Sequence, residues 1–259
     1  MPSEIRSSDL DLARRLEAAE GANALALARA TTVIEYELIA GGCALYAGLG
    51  SPATHALGCG LSGPVHASEV ERLERFFFDR GSDCLIDLCP MADTGLVAAV
   101  MERGYALIEF NNVLARPVTP ADTALAAQGL ALELATPDTR REWLDVMARG
   151  FETPLELIEN LPLYGETLLV RDEHSAAIAA AGGSIVGGVA LLSGDATLPE
   201  VRGRGLQSAL IRERLARAAR AGCELAMCCV LPGSASHRNY ERAGFRLAYM
   251  RVNVRRPRP

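Results

Sequence analysis

The sequence contains no lysine, and all 26 of its basic residues are arginine. Without a lysine amine the chain cannot form a Schiff base with a carbonyl substrate or acylate itself on lysine. It also cannot complete the lysine-containing phosphate loop of nucleoside triphosphatases. We attribute the absence of lysine to genomic base composition. The absence therefore excludes some reaction classes but does not indicate which reaction the protein catalyses.

Long apolar runs are also missing. The first twenty residues are polar and acidic, unlike a secretion signal, and the apolar stretch LAMCCVLPG at 225–233 is too short to cross a bilayer. The seven cysteines are odd in number, and neither they nor the four histidines have the spacing of a metal site. We therefore expect a cytoplasmic protein with reduced, buried cysteines, no metal and no membrane partner.

The charge balance is acidic. The 259 residues carry a formal net charge of −6, which argues against a nucleic-acid partner. A hydrophobic content of 49% is typical of a globular chain, and the length suffices for one large or two small domains. Composition leaves both a monomer and a homodimer open.

A weak internal repeat divides the chain into halves. The segment MERGYALIEFNNVLARP, which ends at Pro117, matches YERAGFRLAYMRVNVRRP, which ends at Pro257, with an offset of 140 residues at the glycine. A helix pattern and a short apolar strand precede each segment, so each half is predicted to end in helix, strand, helix, strand. The proline- and alanine-rich segment 116–129 is typical of a linker. We predict two domains, 1–120 and 121–259.

The second half contains three strand patterns before its alternating helices and strands. Apolar segments at 168–172, 176–180 and 187–198 are bounded by glycine, aspartate and histidine. Strands followed by alternating helices and strands predict an α+β (mixed α/β) fold.

The most informative segment is LPEVRGRGLQSALI, at residues 198–211. It follows an apolar strand with a kink at Gly194 and Asp195, and it begins an amphipathic helix that Gly222 ends. The first amides of a helix lack intrahelical partners and carry partial positive charge, so this loop predicts an anion site. A lysine phosphate loop is excluded, and a dinucleotide fingerprint would need a third glycine after Gly205.

A third interpretation fits better. The segment RGRGLQSAL resembles the acyl-CoA loop of the GNAT superfamily of N-acetyltransferases, with Arg202 and Gly205 at matching positions and Gln207 where glycine or alanine is usual. A strand and the segment NYERAGF, which contains Tyr240, then follow as the family's second block does. The resemblance covers residues 135–255. With the repeat, it implies two tandem GNAT-like domains, each a mostly antiparallel sheet flanked by helices, of which the first is degenerate and lacks the loop.

The resemblance implies acetyl-CoA as the acyl donor. Loop amides would face its pyrophosphate, one of the two loop arginines would contact phosphate, and the end of the preceding strand would pair with the pantetheine arm. The contact that the family often makes through an asparagine before the tyrosine is either lost here or taken over by a serine on the last helix. Ser234 is predicted to cap that helix. The implied donor-binding residues are Ala196, Thr197, Leu198, Arg202, Gly203, Arg204, Gly205, Leu206, Gln207, Ser208, Ser236 and Asn239.

The resemblance also implies that Tyr240 protonates the departing thiolate, since the pKa of tyrosine lies only a little above that of a thiol. A tyrosine packed on the sheet is the alternative. For the base, Asp195 at the kink and Glu200 near the loop are candidates, and a water chain is another. Glu35 and Glu37 could enter the cleft from the first half, although the polar face of a strand explains them better.

The leading hypothesis is direct transfer of an acetyl group from acetyl-CoA to a small-molecule amine. No serine or cysteine lies in a nucleophile motif, which favours transfer without a covalent enzyme intermediate. A non-catalytic acyl-CoA sensor or structural protein is the alternative, because the first half has already lost its loop. A transferase that uses aminoacyl-tRNA is disfavoured by the low basic content.

Overall fold

The computed structural model describes residues 7–126 and 129–259. The polar N-terminal residues 1–6 and residues 127–128 of the predicted linker lie outside this part. The first nine elements in chain order are α1 (Ser7–Arg29), β1 (Glu35–Ile39), β2 (Gly42–Tyr46), β3 (His55–Leu57), α2 (Ala67–Phe78), β4 (Cys84–Leu88), α3 (Thr94–Glu102), β5 (Ala106–Pro117) and β6 (Ala131–Leu134).

The remaining elements include the strand and the helix on either side of the predicted loop. They are α4 (Arg140–Phe151), β7 (Leu168–Arg171), β8 (Ala177–Val186), β9 (Val189–Thr197), α5 (Leu206–Arg220), β10 (Leu225–Val230), α6 (Ala235–Arg242) and β11 (Arg246–Arg256). Short 3₁₀ turns form at Pro120–Leu125, Leu155–Leu157 and Pro199–Val201. The predicted mixed α/β class is confirmed.

The chain folds into two compact units. One contains the residues up to Val113 together with Leu247–Pro259, and the other is Leu114–Arg246. The last strand, from Leu247 onward, therefore belongs to the first unit, whereas the predicted domain 121–259 includes it. Its backbone explains the difference, because β11 pairs antiparallel with β4, with Val252 opposite Leu88 and Val254 opposite Ile86.

The first unit is built on the strand order β1-β2-β3-β4-β11. The β1–β2, β2–β3 and β4–β11 ladders are antiparallel, and β3 runs parallel to β4. Its apolar core includes Leu73 and Phe77 of α2, Ile86 of β4 and Leu96 of α3. Helix α2 buries one side because its apolar residues recur at intervals of three and four.

Polar side chains of the first unit also lie in its interior. Nδ1 of His55 lies 3.1 Å from Oδ2 of Asp87, and the Tyr249 hydroxyl donates to Oε1 of Glu17 at 2.7 Å. Arg251, whose side chain is 1% exposed, bonds to the same Glu17 oxygen. These buried charges are paired, as the cost of removing them from water requires.

The second unit has the strand order β10-β9-β8-β7-β6. The β6–β7, β7–β8 and β8–β9 ladders are antiparallel, and β9 runs parallel to β10. Helix α4 packs Trp143, Leu144 and Met147 into one part of the core, while Ile211 and Leu215 of α5 fill another. Each unit is thus a mostly antiparallel sheet with helices.

Two glycine turns match at the predicted offset of 140 residues. After α3, the Tyr105 amide donates to the Val100 carbonyl at 3.3 Å, and after α6 the Phe245 amide donates to the Tyr240 carbonyl at 3.1 Å. Gly104 and Gly244 have φ of +77° and +91°, the left-handed conformation that such a helix ending requires. Val100 therefore stands in the first half where Tyr240 stands in the second.

Candidate functional site

Strands β9 and β10 separate part of the way along their length. The parallel ladder joins Val189, Ala190 and Leu191 to Leu225, Ala226 and Met227. Strand β9 then continues to Thr197 and β10 to Val230, beyond the last paired residues. The separation leaves backbone groups on the facing edges of the two strands available to an extended ligand.

A β-bulge accompanies this separation. Gly182 of β8 lies opposite Ser193, and Ala180 lies opposite Ala196, so Gly194 and Asp195 together face a single residue of β8. Gly194 has φ of +62°, which a glycine adopts without strain. The predicted kink is confirmed, and it changes the direction in which Asp195 points.

Asp195 lies in a buried cluster with Arg214 of α5 and Tyr240 of α6. The Arg214 guanidinium bonds to Oδ1 of Asp195 and also donates to the carbonyl oxygens of Gly182 at 2.8 Å and Ser193 at 3.0 Å. The Tyr240 hydroxyl donates to Oδ2 of Asp195 and lies 3.3 Å from Nη2 of Arg214. Both carboxylate oxygens of Asp195 are therefore held.

Burial and then the charge of Asp195 raise the pKa of the Tyr240 phenol well above its ordinary value. Burial opposes the charge of Arg214, but the carboxylate of Asp195 outweighs it and raises the pKa of the guanidinium. Arg214 thus stays positive and Tyr240 keeps its proton at neutral pH. The sequence did not indicate Arg214, because α5 contains several arginines and no pattern distinguishes this one from the others.

The loop after β9 leaves the start of α5 without a side-chain cap. Gly205 is the N-cap residue, and the first turn carries no acidic residue. Gly203 and Gly205 have φ of +81° and +78°, and no atom lies within 4 Å of a Cβ built on either. A ligand can therefore approach the backbone closely at a helix end that favours negative charge.

A cavity of about 480 Å³ joins these features. Ten of the predicted site residues line it, and Gly150, Val201, Ala235 and Arg242 complete the wall. The ten are Asp195, Thr197, Arg202, Gly203, Gly205, Leu206, Gln207, Ser208, Ser236 and Asn239. Gly150 had no sequence signal; a Cβ there would lie 2.8 Å from that of Ala196, so glycine permits α4 to approach β9.

Four of the predicted residues lie elsewhere. Tyr240, 1% exposed, lies behind Asp195 rather than in the cavity wall. The side chains of Ala196 and Leu198 pack in the α4 core, so neither is presented to a ligand, and the Leu198 amide donates to the Ile178 carbonyl at 3.1 Å. Arg204 is exposed and outside the wall.

Gln207 has a structural role at the position where the family pattern has glycine or alanine. Its Nε2 donates to Oγ of Ser236 at 2.9 Å, and its Oε1 accepts from Nδ2 of Asn239 at 2.7 Å. The side chain thus links the first turn of α5 to α6. Ser234 caps α6 by accepting from the His237 amide at 3.0 Å, which confirms that prediction.

The charged residues near the loop have protein partners. Arg202 donates to the Gly150 carbonyl at 2.8 Å, and Glu200 pairs with Arg149. A bond from its own backbone amide and then the charge of Arg149 lower the pKa of Glu200. Glu200 also lies outside the cavity wall, which disfavours it as a base.

Glu35 and Glu37 lie on the first unit. Oε2 of Glu35 accepts from Nη2 of Arg80 at 2.7 Å, and Glu37 pairs with Arg72. These contacts support the interpretation of a polar strand face.

The start of α2, which follows β3 as α5 follows β9, is occupied by the chain's own carboxylates. The Glu69 side chain accepts from the His66 amide at 3.0 Å in a capping box, and Asp93 accepts from the Val65 amide at 3.1 Å. An anion would have to compete with both carboxylates. The contrast with α5 gives a physical reason to place an anion site in the second unit.

Within 7–126 and 129–259, no three His, Cys, Asp or Glu side chains lie where they could together hold a metal ion. No helix in the same ranges combines the length and apolar character needed to cross a bilayer. Six of the seven cysteines are buried.

Comparison with known proteins identifies the part of the chain that holds this cavity. Residues 132–245 match the model of the acetyltransferase (GNAT) family. This segment is a GNAT acetyltransferase domain. The matched range contains β7–β10, the loop and both helices of the site, so the resemblance carried by RGRGLQSAL and NYERAGF is confirmed.

The likeness to solved structures extends beyond the GNAT domain. A GCN5-related N-acetyltransferase from Kribbella flavida is 19% identical, with a TM-score of 0.70 and coverage of 95% of this chain and 96% of that one. A GCN5-related N-acetyltransferase from Sphaerobacter thermophilus is 18% identical, with a TM-score of 0.51 and coverage of 69% and 61%. No curated protein matches the sequence. At these identities the likeness shows the fold alone.

Proposed function

We propose that the protein transfers an acetyl group from acetyl-CoA to the amine of a small molecule by direct transfer. The observation that carries this proposal is the 480 Å³ cavity, because it brings the uncapped start of α5, the unpaired edge of β9 and Asp195 together. Family membership of residues 132–245 supports acyl transfer as the reaction class.

The cavity suits a thioester donor. Amides at Gly203 to Ser208 would bind the pyrophosphate at the α5 N-terminus, where the open backbone at the two glycines permits close approach. Ala196 and Thr197 would pair their backbone with the pantetheine arm along the edge that β10 has left. The Leu198 amide would not join them, because it donates to the Ile178 carbonyl at 3.1 Å. Ser236 and Asn239 line the opposite wall and are positioned by Gln207. Arg204, an exposed residue of the loop, would add positive charge at the rim of the cavity.

Transfer requires a proton to move from nitrogen to sulfur. The neutral amine attacks the thioester carbonyl, a C–N bond forms, the C–S bond breaks, and the amine proton must reach the thiolate. Asp195 lines the cavity, and in our proposal it accepts that proton from nitrogen and then returns it to the departing thiolate. Tyr240 donates to the same carboxylate, so its acid role operates through Asp195 rather than by direct contact with sulfur.

Arg214 is a positioning residue in this scheme. Its guanidinium fixes the carboxylate of Asp195 and anchors it to the β8 and β9 backbone. A preorganised carboxylate does not have to reorient during the reaction.

We propose further that the first half of the chain, residues 1–120, is a degenerate copy of the second half, residues 121–259. The element order from α1 to β5 repeats that of α4 and β7–β11 with its intervening helices. Val100 supplies no hydroxyl where Tyr240 stands, and carboxylates occupy the start of α2. Such a copy would bind no acetyl-CoA of its own.

Titration calorimetry of acetyl-CoA into the full chain tests the proposal first. We expect saturable binding with about one site per chain. Two sites would show that the first unit also binds the donor. The absence of binding would refute the assignment of acetyl-CoA as the donor. A screen of small amines then follows thiol release with a colorimetric reagent. Asp195→Asn should reduce amine-dependent release about 100-fold with donor affinity retained. Donor binding with no thiol release by any amine would instead support a non-catalytic sensor.

A further inference from the structure

A second cavity, of about 540 Å³, lies in the same unit beside the donor cavity. Arg242, at the end of α6, lines both of them. The second cavity lies between α5, the end of α6 and the 3₁₀ turn Pro120–Leu125. Its wall consists of Arg116, Pro117, Thr119, Asp122, Leu125, Arg212, Leu215, Arg242, Ala243 and Gly244.

The charge of this wall is positive. Asp122 is the one carboxylate in it, and both of its oxygens are taken, by Arg116 at 2.7 Å and by the Thr119 amide at 2.8 Å. Arg212 is exposed, and no carboxylate of the described residues lies within bonding distance of it or of Arg242. Two guanidinium groups on neighbouring helices therefore remain available to an anion, in a protein whose net charge is −6.

A bound anion with two phosphate groups would explain this arrangement. Arginine prefers phosphate because its planar donors match two phosphate oxygens at once. Since Arg242 lies in both walls, a second phosphate here belongs to a molecule whose first phosphates lie at the α5 N-terminus. CoA carries its pyrophosphate and its 3′-phosphate on one ribose, so the two groups are separated by a single sugar ring.

We propose that Arg212 and Arg242 bind the 3′-phosphate of the CoA donor. This inference rests on the proposed function and makes it more specific, because the protein then discriminates CoA from 3′-dephospho-CoA. Arg212 contacts the 3′-phosphate alone, whereas Arg242, which also donates to Asn239 at 2.9 Å, supports both subsites.

The test compares the dissociation constants of CoA and 3′-dephospho-CoA by calorimetry. We expect the wild-type chain to bind CoA about tenfold more tightly, the effect of one charge-assisted contact. Arg212→Gln should remove most of that ratio and leave the affinity for 3′-dephospho-CoA unchanged. Arg242→Gln should weaken both ligands and CoA more strongly. The control is Arg220→Gln, on the same helix but in neither wall, where Arg220 pairs with Glu213 at 3.6 Å.

The possible failures are distinguishable. Equal binding of the two ligands by the wild-type chain would overturn the 3′-phosphate subsite and leave the donor site standing. A ratio that survives in Arg212→Gln and Arg242→Gln, or that Arg220→Gln lowers equally, would overturn the assignment to these arginines. Binding of neither ligand would refute the proposed donor and this inference together. Arg212 is exposed, so its variant should fold, and a thermal melt checks this.

Discussion

The Tyr240 hydroxyl donates a hydrogen bond to Asp195, and the phenol ring packs edge-on against Phe245 at a centroid distance of 5.0 Å. The tyrosine is thus fixed at both ends, with its hydroxyl directed at the carboxylate in the cavity wall. Substitution of Tyr240 by phenylalanine therefore removes the hydroxyl group and keeps the packing of the ring.

Tyr240→Phe should lower turnover at least about tenfold while acetyl-CoA binding survives. The ring still fills its place, but Asp195 loses a donor. Steady-state rates and calorimetry measure the two effects separately. Tyr249→Phe is the matched control, since it removes another buried tyrosine–carboxylate bond, to Glu17 in the first unit. An unaltered rate for Tyr240→Phe would remove it from the proton path.

Gly205→Val should weaken acetyl-CoA binding by about tenfold or more, because φ of +78° is strained for valine and the side chain would enter the anion site. Gly222→Val is the control at the other end of α5, with φ of +72° and equally open space. Both variants should lose about 1–2 kcal/mol of stability by denaturant unfolding. Equal donor affinity in the two variants would contradict the loop assignment.

Arg214→Met should reduce the free energy of unfolding by about 3–5 kcal/mol, since it leaves a buried carboxylate without its charge partner. Arg141→Met, on an exposed ion pair with Asp145 one turn along α4, should cost less than about 1 kcal/mol. Urea unfolding measures both. Arg214→Lys should recover part of the stability and, if Arg214 positions Asp195, part of the turnover. Equal losses for Arg214→Met and Arg141→Met would show that the cluster is not a coupled buried network.

His55→Gln should show a pH-dependent loss of stability. Burial opposes the charged imidazole, but the charge and hydrogen bond of Asp87 outweigh it and raise the pKa of His55. A raised folded-state pKa means that the stabilisation is complete below the unfolded value of about 6.5 and is lost as pH rises through the folded value. We expect a loss of about 2 kcal/mol at pH 6 and little at pH 10, by denaturant unfolding. A loss that is the same at both pH values would mean that His55 stabilises by packing.

The sequence by itself determined the local parts of the site. The kink at Gly194 and Asp195, the glycine loop, the start of α5 and the Ser234 cap depend on a few adjacent residues, because glycine conformation, helix periodicity and capping are short-range effects. The repeat fixed the matching glycine turns at Gly104 and Gly244 for the same reason. Tandem organisation and the roles of Asp195 and Tyr240 remain predictions.

Only the tertiary structure decided which distant side chains meet. Arg214 reaches Asp195 and Tyr240 because α5, β9 and α6 pack together, and no spacing in the sequence encodes that contact. The same packing places Tyr240 behind Asp195 and ends the β9–β10 ladder at Leu191. The last strand joined the first unit because β-strand partners are chosen by long-range hydrogen bonding and burial, which a local pattern does not specify.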